Sequence, residues 1–198
     1  MKIKTALTFG ALLLLLTGCA ATAPKSATYF LEMDRMEEAK TAGTAGLRIL
    51  VDNFSARDAY KGKSVVASPA PYQLTKRANA EWAENAGTLV NSAVQDYLAA
   101  RCEKVLPPEW KNKADYDLTL LVHLDALCQC KREKNWFAVL RLSYEVLPKK
   151  GGEAVLSGRF DKAQPLPDGD LGNYAEAQGG LVKEWLDALL ARLSGRPE

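Results

Sequence analysis

Histidine is almost missing from this chain: His123 is the only one in 198 residues. Every other position therefore lacks the side chain that most often serves as general base or metal ligand near neutral pH. Its acidic neighbours in sequence, Asp117 and Asp125, do not form a recognisable catalytic spacing with it, because general acid–base work needs positioned partners. The expectation for His123 is a satisfied or solvent-facing ring. No serine stands in a nucleophile elbow, no glycine-rich loop offers to cradle phosphate, and no metal-ligand spacing involves histidine. Asp168-Gly169-Asp170 lacks the further oxygen ligands of a calcium loop and reads as a helix-capping turn. The sequence thus points to no catalytic residue, no metal and no cofactor.

An excess of charge of one sign is also missing. The chain holds 26 Lys and Arg against 24 Asp and Glu. Removing residues 1–18, which carry Lys2 and Lys4 and no acid, leaves 24 against 24. That balance excludes the basic footprint of a nucleic-acid binder and the polybasic stripe that grips anionic headgroups. Long apolar runs are missing too. Residues 6–16, interrupted by Thr8 and Gly10, fall short of the roughly 20 apolar residues of a membrane span.

What those first residues do contain is a secretory signal: a charged start, a short apolar middle and a small-residue exit. The exit is Leu16-Thr17-Gly18-Cys19, a bacterial lipobox, in which a peptidase cuts before a cysteine that carries lipid. Cys19 is accordingly expected to be acylated and to tie the mature chain to a membrane. Each acyl chain contributes roughly 0.8 kcal/mol per buried methylene, so two or three make a lasting anchor. Ala20 follows the cysteine where aspartate would favour inner-membrane retention, and this favours the outer membrane, periplasmic face. Residues 19–28 read as an extended tether, at about 3.3 Å per residue reaching some 30 Å. The remainder, 29–198, has the length of one domain with a single core.

Within it, residues 29–33 and 47–53 read as strands, the second apolar on both alternating sets as a central strand should be. Residues 34–46 read as a mobile connection. Tyr60-Lys61-Gly62 is turn-like, and 64–67 with 72–77 read as edge strands around Pro69 and Pro71. The spacing of Ala86, Leu89, Val90, Ala93, Val94, Tyr97 and Leu98 predicts a helix over 82–101. A short strand follows at 103–106. Residues 117–130 and 136–147 alternate with a period of two, and a five-residue turn would place even residues opposite even ones, Val122 by Tyr144 and Leu124 by Leu142. The next turn, 148–152, puts Leu156 and Phe160 on the same apolar surface. A second helix is predicted over 171–193, capped by Asp170 and stopped by Gly195. The expected architecture is α+β: a mostly antiparallel sheet with two long helices on one face, a two-layer sandwich.

Three cysteines remain beyond the lipobox. Cys128 and Cys130 share one face of a regular strand at about 6.6–6.8 Å, the limit for a disulfide. Cys102 ends the helix expected to cover that face, and three thiols without histidine make a poor zinc site. In an oxidising compartment Cys102 is expected to bond Cys128 or Cys130. The opposite face, with Leu121, His123, Phe137, Val139 and Arg141, has the aromatic, aliphatic and arginine mixture of an interface. A protein partner or a second copy of the chain is expected there, and the loops around Tyr60 are the other place to look.

The lipobox, Tyr29-Phe30-Leu31, the run from Tyr60-Lys61-Gly62 through Val65-Val66, Tyr72-Gln73-Leu74 and Trp82-Ala83-Glu84 occur in an order that resembles the ABC-type transport auxiliary lipoproteins, the PqiC-like family. The paired strands of 117–147 fit that resemblance. One loop departs from it: Phe54-Ser55-Ala56-Arg57-Asp58-Ala59 stands where the family usually has a proline and Tyr-Leu-Asp. The resemblance implies a non-enzymatic outer-membrane lipoprotein that docks a periplasm-spanning MCE-type protein for lipid transport. Lipoproteins of lipopolysaccharide or outer-membrane protein assembly, also sheets with two helices, are the alternative.

Overall fold

The computed structural model describes residues 26–31, 33, 44, 46–111 and 115–195. The signal segment, Cys19, most of the tether and most of the 34–46 connection lie outside the described residues.

A single long strand organises the sheet. The run from Leu118 to Arg132 is rich in Leu and holds two Cys, and both of its edges are used. The strands are β1 (Ala27–Tyr29), β2 (Arg48–Val51), β3 (Ser55–Ala56), β4 (Ser64–Ser68), β5 (Thr75–Trp82), β6 (Lys104–Leu106), β7 (Leu118–Arg132), β8 (Asn135–Pro148) and β9 (Leu156–Leu166). On one edge of β7 three short strands lie end to end, all parallel to it: β2, then β3, then β4. Beyond them β2 carries β6, while β4 carries β5 and, through it, β1. The other edge is an antiparallel meander, β7–β8–β9.

The sheet is therefore mixed, which corrects the expectation of a mostly antiparallel one. Antiparallel neighbours joined by tight turns leave a local signature in the sequence, whereas a parallel partner arrives by a long crossover and leaves none. The predicted strand at 29–33 lies instead at Ala27–Tyr29, paired parallel with the end of β5.

Two helices pack on the sheet and against one another, the first beside β3 and β6 and the second over the even-numbered face of β8 and beside β9. The first, α1 (Ala86–Ala99), starts four residues later than its periodicity suggested, because Asn85 accepts a hydrogen bond from the Thr88 backbone N–H and caps it. Trp82 belongs to the end of β5, where it is buried. The second, α2 (Leu171–Ser194), is capped as expected: Asp170 accepts from the N–H groups of Gly172 and Asn173, and Gly195 closes the other end. The helix continues through Gly179-Gly180. The helices are joined by a hydrogen bond from the Tyr97 hydroxyl to Asp187. Trp185 packs on Tyr144, ring centroids 5.8 Å apart, and Arg192 donates to the Tyr144 hydroxyl at 2.8 Å. That ring lies across Gly158 on β9, where an added Cβ would stand 2.7 Å from the Tyr144 oxygen.

The β7–β8 hairpin contains two departures from the expected register that partly cancel. Its turn is two residues, not five: Arg132 faces Asn135, and Glu133 takes a positive φ of 55°. A bulge between Leu124 and Ala126 then inserts one extra residue. Below the bulge, Val122 faces Tyr144 and Leu124 faces Leu142 as anticipated. Above it, Leu127 faces Leu140, while Cys128 faces Val139 and Cys130 faces Phe137.

Candidate functional site

The bulge decides which side chains share a face. Opposed residues of paired strands point the same way, so Cys128 and Cys130 join Phe137, Val139 and Arg141 on the face away from the helices. The bridge expected from Cys102 to one of them is not formed in this structure. Cys102 is buried just beyond the C-terminal end of α1, in the helix layer, and no disulfide joins it to either partner. The pair instead meets itself, Sγ to Sγ 3.2 Å apart.

This upper part of the face is not a free surface. A single 3₁₀ turn, Asp58–Tyr60, lies between β3 and β4, because the chain must leave the edge of β7 where the bulge breaks its regular ladder. The turn drops Tyr60, only 6 % exposed, over Cys128. Val139 beneath is 2 % exposed. The expectation of a partner at Phe137, Val139 and Arg141 therefore needs correcting at its centre: Val139 is core. Between the turn, the following loop and the sheet lies a cavity of about 640 Å³, lined by Tyr60, Leu74, Cys128, Cys130, Val139 and Arg141 among others. Arg141 reaches across to Asp161 on β9 at 2.8 Å.

Electrostatics separates the two thiols. The hydrogen bond with Cys128 lowers Cys130 to about 7 against the opposing effect of burial, helped by Arg132 and Arg141. The same hydrogen bond, with burial, pushes Cys128 far up. Burial also raises the Tyr60 hydroxyl well above its ordinary range.

Below the bulge the same face is open and polar. Leu121, His123, Ser143, Glu145 and Arg159 line a shallow groove of about 660 Å³. His123 Nδ1 is hydrogen-bonded to Ser55 Oγ at 2.7 Å, the satisfied arrangement expected of a lone surface histidine. A serine–imidazole pair becomes a nucleophile when an acid orients the ring and amide donors wait for an oxyanion. Among the described residues no carboxylate bonds to His123, and no three His, Cys, Asp or Glu side chains gather as metal ligands do.

The structure thus splits the proposed interface residues. Tyr60, Val139 and Arg141 share the covered cavity, while Leu121 and His123 share the open groove. Phe137 lies beyond them, half-buried opposite Cys130, with the Arg132 guanidinium 5.1 Å from its ring. Two residues that periodicity did not single out belong to the neighbouring loop: Leu74, 52 % exposed, lines the cavity, and Tyr72, two residues before it, is fully exposed with φ 62°. Their signal was the Pro69/Pro71 loop, where apolar side chains have no sheet to lie on. The bulge had a signal as well: Ala126-Leu127-Cys128 places three apolar residues in succession directly after Asp125, which breaks strict alternation.

A family model described as ABC-type transport auxiliary lipoprotein component matches residues 29–189. A crystal structure of a Xanthomonas campestris protein is similar at TM-score 0.71 and 17 % identity, covering 83 % of this chain and 92 % of that one. The PelC dodecamer of Paraburkholderia phytofirmans is similar in fold at TM-score 0.50 and 14 % identity, over 80 % of this chain and 95 % of that one. No curated protein matches the chain.

Proposed function

Because the chain belongs to the ABC-type transport auxiliary lipoprotein family, we propose that it is a non-enzymatic accessory subunit of a lipid transport system, held at the outer membrane by acylated Cys19 and docking an MCE-type protein that spans the periplasm. The observation that carries this reading is the family match over nearly the whole folded part of the chain, directly downstream of a lipobox. In this reading acylated Cys19 supplies the membrane attachment; among the described residues no helix is long and apolar enough to cross a membrane.

The docking surface belongs at the rim of the upper cavity rather than at the sheet centre. Leu74 lines the cavity and Tyr72, two residues before it, exposes its whole ring, and an exposed aromatic is the kind of side chain on which binding energy concentrates. The open groove at His123 adds a polar margin.

In-cell photocrosslinking from positions 72 and 74 tests the docking. The expected result is an adduct with an MCE-type protein, lost in a Tyr72→Ser/Leu74→Ser variant that still folds. An adduct with an outer-membrane assembly or lipopolysaccharide-transport component from the same positions would support the alternative class. Cys19→Ser tests the anchor separately: the variant is expected as uncut precursor or soluble protein, and maturation with retention in the outer membrane would overturn the lipid-anchor reading.

A further inference from the structure

Cys128 and Cys130 are a pair of nucleophilic side chains in contact on this face, and nothing in the transport reading uses them. Their sulfur atoms lie 3.2 Å apart. Cys130 is half-buried and lines the cavity, so a small solute reaches it there. Cys128 is 4 % exposed beneath Tyr60. Arg132 and Arg141 line the same cavity. Two guanidinium groups repel a metal cation but stabilise a thiolate, and two sulfurs alone are too few ligands for a zinc site.

We propose that Cys128 and Cys130 form a redox-active pair that closes reversibly to a disulfide by exchange with a small-molecule or protein disulfide. Cys130 is the attacking sulfur. It is the more accessible of the two, and its thiol is held at about 7, first by the hydrogen bond of Cys128 and then by Arg132, Arg141 and Ser68. The Cys130 thiolate attacks one sulfur of the oxidant's disulfide, forming a mixed disulfide and expelling one thiolate. That thiolate takes the Cys128 proton. Cys128 sulfur then attacks Cys130 Sγ and expels the second half of the oxidant. Two electrons pass from the cysteine pair to the oxidant, whose first half leaves as a thiol carrying the Cys128 proton and whose second half leaves as a thiolate that is protonated by solvent. Residues two apart on a strand sit at the edge of the Cα separation a disulfide tolerates. The bond is therefore of the labile kind, opened again by mild thiols.

The test uses the full-length protein in detergent, equilibrated first with reduced and then with oxidised glutathione, acid-quenched, unfolded, alkylated and mapped by mass spectrometry. The expected result is simultaneous loss of alkylation at Cys128 and Cys130, with one peptide linked internally, while Cys102 stays fully alkylated. Returning the sample to reduced glutathione restores both thiols. Cys128→Ser is expected to trap glutathione on Cys130, whereas Cys130→Ser leaves Cys128 without an adduct. Full alkylation of both residues in saturating oxidised glutathione would overturn the proposal, as would a bridge to Cys102. Trapping of glutathione on Cys128 in preference to Cys130 would overturn the order of attack. The wild-type mapping decides the main point even if a variant fails to fold.

Discussion

The two ends of the β7–β8 hairpin treat the same sheet face in opposite ways. Below the bulge, Leu121, His123, Ser143 and Arg159 line an open, polar groove. Above it, Cys128, Val139 and Ala126 are buried under the Asp58–Tyr60 turn. The strands are the same and the composition differs little; what differs is one inserted residue. The bulge moves the odd-numbered, polar set of β7 (Asp125, Gln129) relative to β8, so that Gln129 enters the helix side. There Gln129 accepts a hydrogen bond from Arg77 and donates to the Gly169 carbonyl at 3.1 Å, and it is fully buried without an unpaired amide. In exchange the small apolar Ala126 and the two cysteines go to the other side and call for a cover. The lesson is that a face cannot be assigned as interface or core from alternation alone, because a single bulge exchanges the two.

The sharpest way to break this comparison is to place the same charge at both ends. Val139→Glu is expected to cost at least about 3 kcal/mol, since it buries an unpaired carboxylate, and to give little folded protein. His123→Glu in the open groove is expected to change stability by no more than about 0.5 kcal/mol. Urea titrations of the two variants measure the difference, and equal midpoints would mean that the Tyr60 turn does not close the upper end.

A smaller effect is expected on the helix side of the same strands. Gly158→Ala puts a Cβ against the Tyr144 hydroxyl, so the ring must move and loosen its bond to Arg192. The expected loss is about 1–3 kcal/mol, read as a lowered thermal midpoint. An unchanged midpoint would show that the Tyr144 ring is free to shift. Smaller again is Asp170→Ala, which removes the acceptor for two N–H groups at the start of α2. It should cost about 1 kcal/mol, with hydrogen exchange rising in the first turn only.

The smallest effect concerns the lower end of β7, where Arg48 holds Asp117 through paired hydrogen bonds of 2.9 and 2.7 Å. That hydrogen bonding lowers the Asp117 carboxyl below its ordinary value. A carboxyl depressed in the folded state contributes stability above its unfolded value, about 3.9, and loses it as pH falls through the folded one. Asp117→Asn should therefore flatten the stability–pH curve below about pH 4 and leave its neutral-to-basic side parallel to that of the wild type. A curve of unchanged slope in acid would show that the pair contributes nothing there.

The features legible from the sequence were those set by neighbours a few residues apart. Asp170 caps the start of α2 with its side chain, and the helix ends at Gly195. The even-numbered stripe of β8 is the helix-covered face, and Val122 and Leu124 meet Tyr144 and Leu142. The lipobox and the order of short motifs led to the family that the match over 29–189 shows. Each of these depends on local periodicity, local hydrogen bonding or a contiguous signal.

Tertiary structure alone decided the rest. β2, β3 and β4 reach the edge of β7 from some 60–70 residues away in sequence, and nothing in their own alternation records which edge they will join or in which direction. The bulge at Asp125 is marked in the strand only by the break in alternation at Ala126-Leu127-Cys128; with it Leu127 fills the helix-side core and Gln129 finds its partners on β5 and before α2. The position of Cys128 and Cys130, and with it the covered cavity, follows from that long-range fit. Side-chain direction in a strand repeats every two residues, so a one-residue shift set by distant packing overrules any reading made from the strand itself.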